Sequence, residues 1–143
     1  MAHTTNVTDV PGGRIFHTEW RGVVGPEEMF EYHAALETHV TQQEGLLIKE
    51  LSDTRQVSEV LVSRSVLLGT CILRRSLGSA HPQTAMVLRN QEALVRLQFH
   101  ETLLIGMGVQ YRSFLSHLDA IRWLGIPWGV PGISGMQTRK LAS

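Results

Sequence analysis

At 143 residues the chain fits one domain, long enough to bury a single sizeable core without metal or disulfide support. Hydrophobic residues make up 43% and charged residues 18%, a globular mix that excludes general disorder. Thirteen basic and thirteen acidic side chains cancel, and a chain with no net field is a poor nucleic-acid binder, because that task needs a basic face to displace phosphate counterions.

No apolar run approaches the roughly 20 residues needed to span a bilayer. The start, Met1-Ala2-His3-Thr4-Thr5-Asn6, has neither a basic n-region nor an apolar h-region. Cys71 has no partner for an intrachain disulfide and lies in an apolar stretch, which predicts a small buried hydrophobe. The expectation is a cytoplasmic protein of a reducing compartment.

Residues 1–13 read as a flexible leader closed by the turn signal Pro11-Gly12-Gly13. Arg14–Trp20 alternates, with Phe16, Thr18 and Trp20 on one face, which predicts a first strand with one face better buried than the other. Gly22–Gly25 reads as the turn into a helix. That helix spans Pro26 to about Gln42: proline suits the first turn, Glu27 and Glu28 complement the helix dipole, and Met29, Tyr32, His33, Leu36 and Val40 form an apolar stripe.

Leu46–Leu51 is a mostly apolar run of strand length that ends in the polar residues Ser52-Asp53-Thr54-Arg55. A helix is predicted from about Ser63 to Leu77, with Ser63 as N-cap, Gly78 as stop, and a broad buried face of Leu67, Leu68, Cys71 and Ile72. Arg74 and Arg75 fall in its last turn, where cations suit the dipole. Thr84–Arg89 is the next strand, and Asn90 can cap a helix running to about Met107 with the stripe Leu94, Leu97, Glu101 and Leu104. Val109–Phe114 gives a short strand; Ser116-x-x-Asp119 opens a last helix that Gly125 stops. Residues 126–143 read as an irregular tail in which Trp128 and Ile133 could dock.

The order β-α-β-α-β-α-β-α predicts a single α/β domain over residues 14–125, with a mainly parallel, mixed sheet of four to five strands flanked by helices. The first strand is its expected antiparallel or edge member. Right-handed crossovers then bring the strand ends after Leu51, Arg89 and Phe114 to one rim, where ligands or partners of such sheets bind.

With these elements placed, Gly25-Pro26-Glu27-Glu28, Asp53-Thr54-Arg55, Ala85-Met86-Val87 and Ala120-Ile121-Arg122-Trp123-Leu124-Gly125 resemble the motifs of the SpoIIAA-like, STAS/SEC14-like group of small bacterial domains. The resemblance covers roughly residues 14–125. It implies an α/β sheet flanked by helices, no catalytic apparatus, and a regulatory or interaction role. Members resembling anti-sigma-factor antagonists carry a phosphorylatable Ser or Thr in an Asp-Ser-Ser/Thr-Gly loop. Here the comparable Ser52-Asp53-Thr54-Arg55 lacks that glycine, and Thr54 is the nearest hydroxyl.

The candidate binding residues are Asp53, Thr54, Arg55, Arg89 and Asn90, with a helix N-terminus beside Arg89 as an anion site. No catalytic residue is assigned, since there is no Gly-x-Ser-x-Gly elbow, no cysteine with an activating partner and no phosphate-binding loop. No cofactor is expected. His33-x-x-x-Glu37 offers two metal ligands on one helix, short of the three or four a zinc site takes, and His33 is read as a boundary residue of the stripe. The leading expectation is a nonenzymatic regulatory or protein-interaction domain that self-associates as a homodimer or docks on a protein partner. The alternative is a carrier or sensor of a small apolar or anionic ligand held between sheet and helices.

Overall fold

A computed structural model describes residues 3–11, 13–42, 47–75 and 82–127. Among them five strands form one sheet in the order β1-β2-β3-β4-β5: β1 His3–Val10, β2 Gly13–Val24, β3 Leu47–Val60, β4 Gln83–Val87 and β5 Tyr111–Phe114. The helices are α1 Pro26–Gln42, α2 Arg64–Arg75, α3 Gln91–Arg96, α4 Gln98–Gly106 and α5 His117–Leu124. All neighbouring strands are parallel except β1 and β2, which are antiparallel.

Two expectations about the first third of the chain are corrected. Residues 3–10, read as part of a leader, are strand β1, paired residue for residue with β2 from His3↔Trp20 to Val10↔Gly13. The strand expected as the antiparallel or edge member is therefore interior β2, antiparallel to β1 and parallel to β3, and β1 takes the edge. Both faces of β2 are covered. Phe16, Trp20 and Val24 pack with Ile48 against Tyr32 and Leu36 of α1, while Ile15 packs with Leu51, Ala85 and Val87 against Ala120, Ile121 and Leu124 of α5. A third cluster joins Cys71 of α2, Leu104 of α4 and Tyr111 of β5. Thus α1, α2 and α4 cover one face of the sheet and α5 the other.

β3 is also longer than its apolar run. It continues through Ser52–Arg55 to Val60 because β2, reaching Val24, supplies pairing up to Val24↔Val60. On the other side β4 pairs with β3 only as far as Asp53↔Val87. Beyond that point Arg21–Val24 and Gln56–Val60 form a two-stranded ribbon, with register shifts around Arg21 and Gly22, and Gly22 in the left-handed region at φ 66°.

The helices follow their sequence signals at the ends more closely than along their faces. The Ser63 hydroxyl accepts from Val66 N, Asn90 from Ala93 N and Ser116 from Asp119 N. Gly125, at φ 68°, ends α5 in the left-handed conformation a C-terminal glycine permits, and Lys49 Nζ donates to the Leu124 carbonyl at that end. The broad buried face of α2 is corrected: Cys71 is buried, but Leu68 and Ile72 are exposed. The single helix expected after Asn90 is two, α3 and α4, meeting at Leu97. Ile126, assigned to the tail, is buried in the α5 cluster; the docking expected of Trp128 and Ile133 lies outside the described residues.

Candidate ligand site

Alternation along the inner strands sets the chemistry of each face. On β3, Ile48, Glu50, Ser52 and Thr54 turn toward α1, α2 and α4; Lys49, Leu51, Asp53 and Arg55 turn toward α5. On β4, Thr84 and Met86 join the first set. The result is a buried polar network under α1 and α2. Arg74 donates from its NH2 nitrogen to both oxygens of Glu50 at 2.7 and 2.9 Å, from NH1 to the Thr84 hydroxyl at 3.2 Å, and from Nε to His33 Nε2 at 3.1 Å. The Tyr32 and Thr84 hydroxyls donate to Glu50 at 2.8 and 3.0 Å. Since a guanidinium only donates, His33 Nε2 is the acceptor, and Nδ1 carries the proton that reaches the Met29 carbonyl at 2.7 Å.

Burial alone would raise the Glu50 carboxyl, but the Arg74 charge and hydrogen bonds hold it below the usual carboxylate range. Burial and the same Arg74 charge lower His33 to about 4, so His33 is neutral at pH 7. Tyr32 is pushed up by burial and by the Glu50 charge. The network is therefore one anion and one cation, mutually compensated, with neutral donors and acceptors around them. His33 is a buried network member, not a boundary residue, and both its ring nitrogens are engaged. Among the described residues, no group of three or more His, Cys, Asp or Glu side chains is placed to hold a metal ion.

Beside this network lies a cavity of about 400 Å³ between the sheet and the helices. Its inner wall includes Trp20, Ser52, Arg74, Met86, His100 and Tyr111; Leu67, Leu97 and Leu104 add apolar surface from α2 to α4. Ser58, Glu59 and Val60 of the ribbon, with Arg89 and Arg96, line it while remaining exposed, so they stand at its opening. His100 is buried, lies 3.8 Å through Nδ1 from Cys71 Sγ, and is lowered to about 4 by burial and the Arg74 charge. Burial raises the Cys71 thiol, which leaves it protonated.

The five residues singled out in the sequence do not converge. Thr54 and Arg89 line the cavity, and the Thr54 hydroxyl donates to the Val87 carbonyl at 2.8 Å. Asp53 and Arg55 sit on the opposite face and hold each other through a two-pronged contact at 2.9 and 2.7 Å. Burial would raise the Asp53 carboxyl, yet the Arg55 hydrogen bonds keep it low; His117 Nδ1 lies 4.0 Å away. Asn90 spends its side chain on the cap of α3, and α3, only six residues long, does not make the helix-terminal anion site expected there. One rim was expected; the two-residue period of β3 divides it between two faces.

Sequence reasoning missed Glu50 and Arg74. The available signal was a carboxylate between Ile48 and Ser52 on an inner strand face, and an arginine three residues from Cys71 on the inner side of α2. A charge at such a position either has a partner or is not buried.

No protein-family model and no curated protein sequence matches the chain. Several solved structures are similar, two of them as follows. An uncharacterized DUF3478-family protein with a SpoIIAA-like fold, from Shewanella loihica, superposes with a TM-score of 0.61 at 13% identity over 86% of this chain and 94% of its own. The anti-sigma factor antagonist SpoIIAA in its unphosphorylated form superposes with a TM-score of 0.53 at 14% identity over 87% of this chain and 100% of its own. The mixed sheet with its helices is thus a SpoIIAA-like, STAS-type fold. No helix of the described residues is long and apolar enough to cross a membrane.

Proposed function

We propose that this chain is a nonenzymatic binding domain of the STAS/SpoIIAA-like type that holds a small apolar or amphipathic ligand between its sheet and helices. The single observation behind this is the 400 Å³ cavity, within the roughly 300–1,000 Å³ range of small-molecule sites. A core of this size ordinarily closes over its own side chains. Here a largely apolar space stays open beside a polar network that needs no ligand to satisfy it. Native mass spectrometry of protein purified from its own source is the test. A retained small molecule supports the reading, and an empty chain from several preparations counts against it.

The second reading is a regulatory domain that self-associates or docks on a protein partner in the cytoplasm. Leu61, Leu68, Ile72, Phe99 and Ile105 are all exposed, apolar side chains of the kind that partners cover. The fold likeness to an anti-sigma factor antagonist points the same way. The same mass spectra distinguish the two, since a ligand-free dimer supports this second reading.

A further inference from the structure

Resting on the cavity reading above, we propose that the ligand is a single-chain amphipathic acid, bound with its chain inside and its carboxylate at the opening between Arg89 and Arg96. Three observations carry this. The depth of the cavity cannot compensate an anion. Arg74, its one buried cation, already gives hydrogen bonds to Glu50, Thr84 and His33, and the Glu50 carboxylate cancels its charge. A second anion placed there would be buried without a partner, an expensive arrangement.

What the depth does offer is neutral. The Ser52 hydroxyl and His100 Nε2 have no hydrogen-bond partner among the described residues, and both residues line the cavity. They can take a water or an oxygen on the chain, but not a net charge.

The opening is different. Arg89 and Arg96 both line it and both are exposed. Arg89 has no ion-pair or hydrogen-bond partner among the described residues, whereas Arg96 pairs with Glu92 one turn away. Glu59, on the facing ribbon, is the anion there and disfavours a ligand carrying several negative charges. With Arg96 compensated by Glu92, Arg89 is the cation left to a ligand's single carboxylate, and Arg96 stands beside it. The cavity of about 400 Å³ lies within the range of small-molecule sites, and decanoate, one carboxylate on an unbranched apolar chain, is a probe of this chemistry.

Isothermal titration of the full chain with decanoate, methyl decanoate and acetate tests the assignment. Decanoate is expected to bind roughly fivefold more tightly than its ester, the scale of an exposed charge contact. That advantage shrinks as salt rises, and acetate does not bind. The double variant Arg89→Gln with Arg96→Gln should lose the advantage and keep the ester affinity. Equal binding of acid and ester, insensitive to salt, overturns the head-group assignment and leaves the cavity reading standing. Binding of acetate alone places the anion without a chain and overturns the assignment too. Binding of none of the three removes both the assignment and the amphiphile reading beneath it.

Discussion

Arg74 and Glu50 meet at 2.7 Å with side chains 6% and 0% exposed, joining helix α2 to the inner face of strand β3. Removing one partner strands the other charge in the interior, which costs about 3–5 kcal/mol. Arg74→Met and Glu50→Leu should each destabilise by that amount in urea unfolding. The double variant should recover much of the loss, because a matched apolar pair can replace a buried ion pair nearly neutrally. Additive losses would mean the two side chains do not act as a pair.

Acid should weaken the fold earlier than carboxylate titration alone implies. His33 and His100 each fall from an ordinary 6.5 to about 4 on folding. The unfolded chain then binds more protons in that interval, so stability is full above about pH 6.5 and is lost as pH falls toward 4. Each histidine adds up to about 1.4 kcal/mol per pH unit in the steepest part of that window. Glu50, held low, adds a loss of the same sign at lower pH. Thermal midpoints between pH 7 and pH 4.5 should drop for the natural chain and drop less for His100→Gln. A flat profile would contradict the burial of both rings.

Leu36 is 2% exposed and anchors α1 on Phe16, Trp20 and Ile48. Leu36→Ala should cost about 2–5 kcal/mol, as buried large-to-small changes do. Denaturant midpoints with an unchanged slope would measure it; a loss below about 0.5 kcal/mol, the scale of surface changes, would mean the helix is turned the other way.

Gly13 begins β2 where it pairs with Leu47, and a Cβ there would come within 2.5 Å of the Leu47 carbonyl oxygen. Backbone cannot yield as a flexible side chain would. Gly13→Ala is therefore expected to destabilise by about 1–3 kcal/mol, in the range of overpacked sites. Gly106→Ala, which meets nothing within 4 Å, is the control and should leave the melting temperature unchanged or raise it.

Local chemistry made much of this architecture readable, and long-range pairing hid the rest. Pro26, Glu27 and Glu28 announce α1, and Ser116 and Gly125 bracket α5, because caps and dipole partners act within one turn. β1 gave no such sign. His3–Val10 holds three Thr and only two apolar residues, Val7 and Val10, which fall on opposite faces, and only its antiparallel partner makes it a strand. Ser52–Arg55 read as a strand end for the same reason: polar residues persist in β3 because one face looks into a cavity and the other toward His117. The break at Leu97 carries neither Gly nor Pro. Of the candidate residues Thr54 and Arg89 line the cavity, whereas Glu50 and Arg74 gave no local signal, since 24 residues separate that pair along the chain and only the crossover through α2 unites them.

The ribbon of Arg21–Val24 and Gln56–Val60 has one further consequence. Two strands alone are marginal in water, and no third strand supports these among the described residues. Val57, Ser58, Glu59 and Val60, one wall of the cavity, thus belong to the part of the sheet that breathes most readily. Their amides should exchange with deuterium well before those of Ile48–Ser52 in the same strand, so entry to the interior would be timed by the fraying of a two-stranded parallel arm and not by any rearrangement of the core.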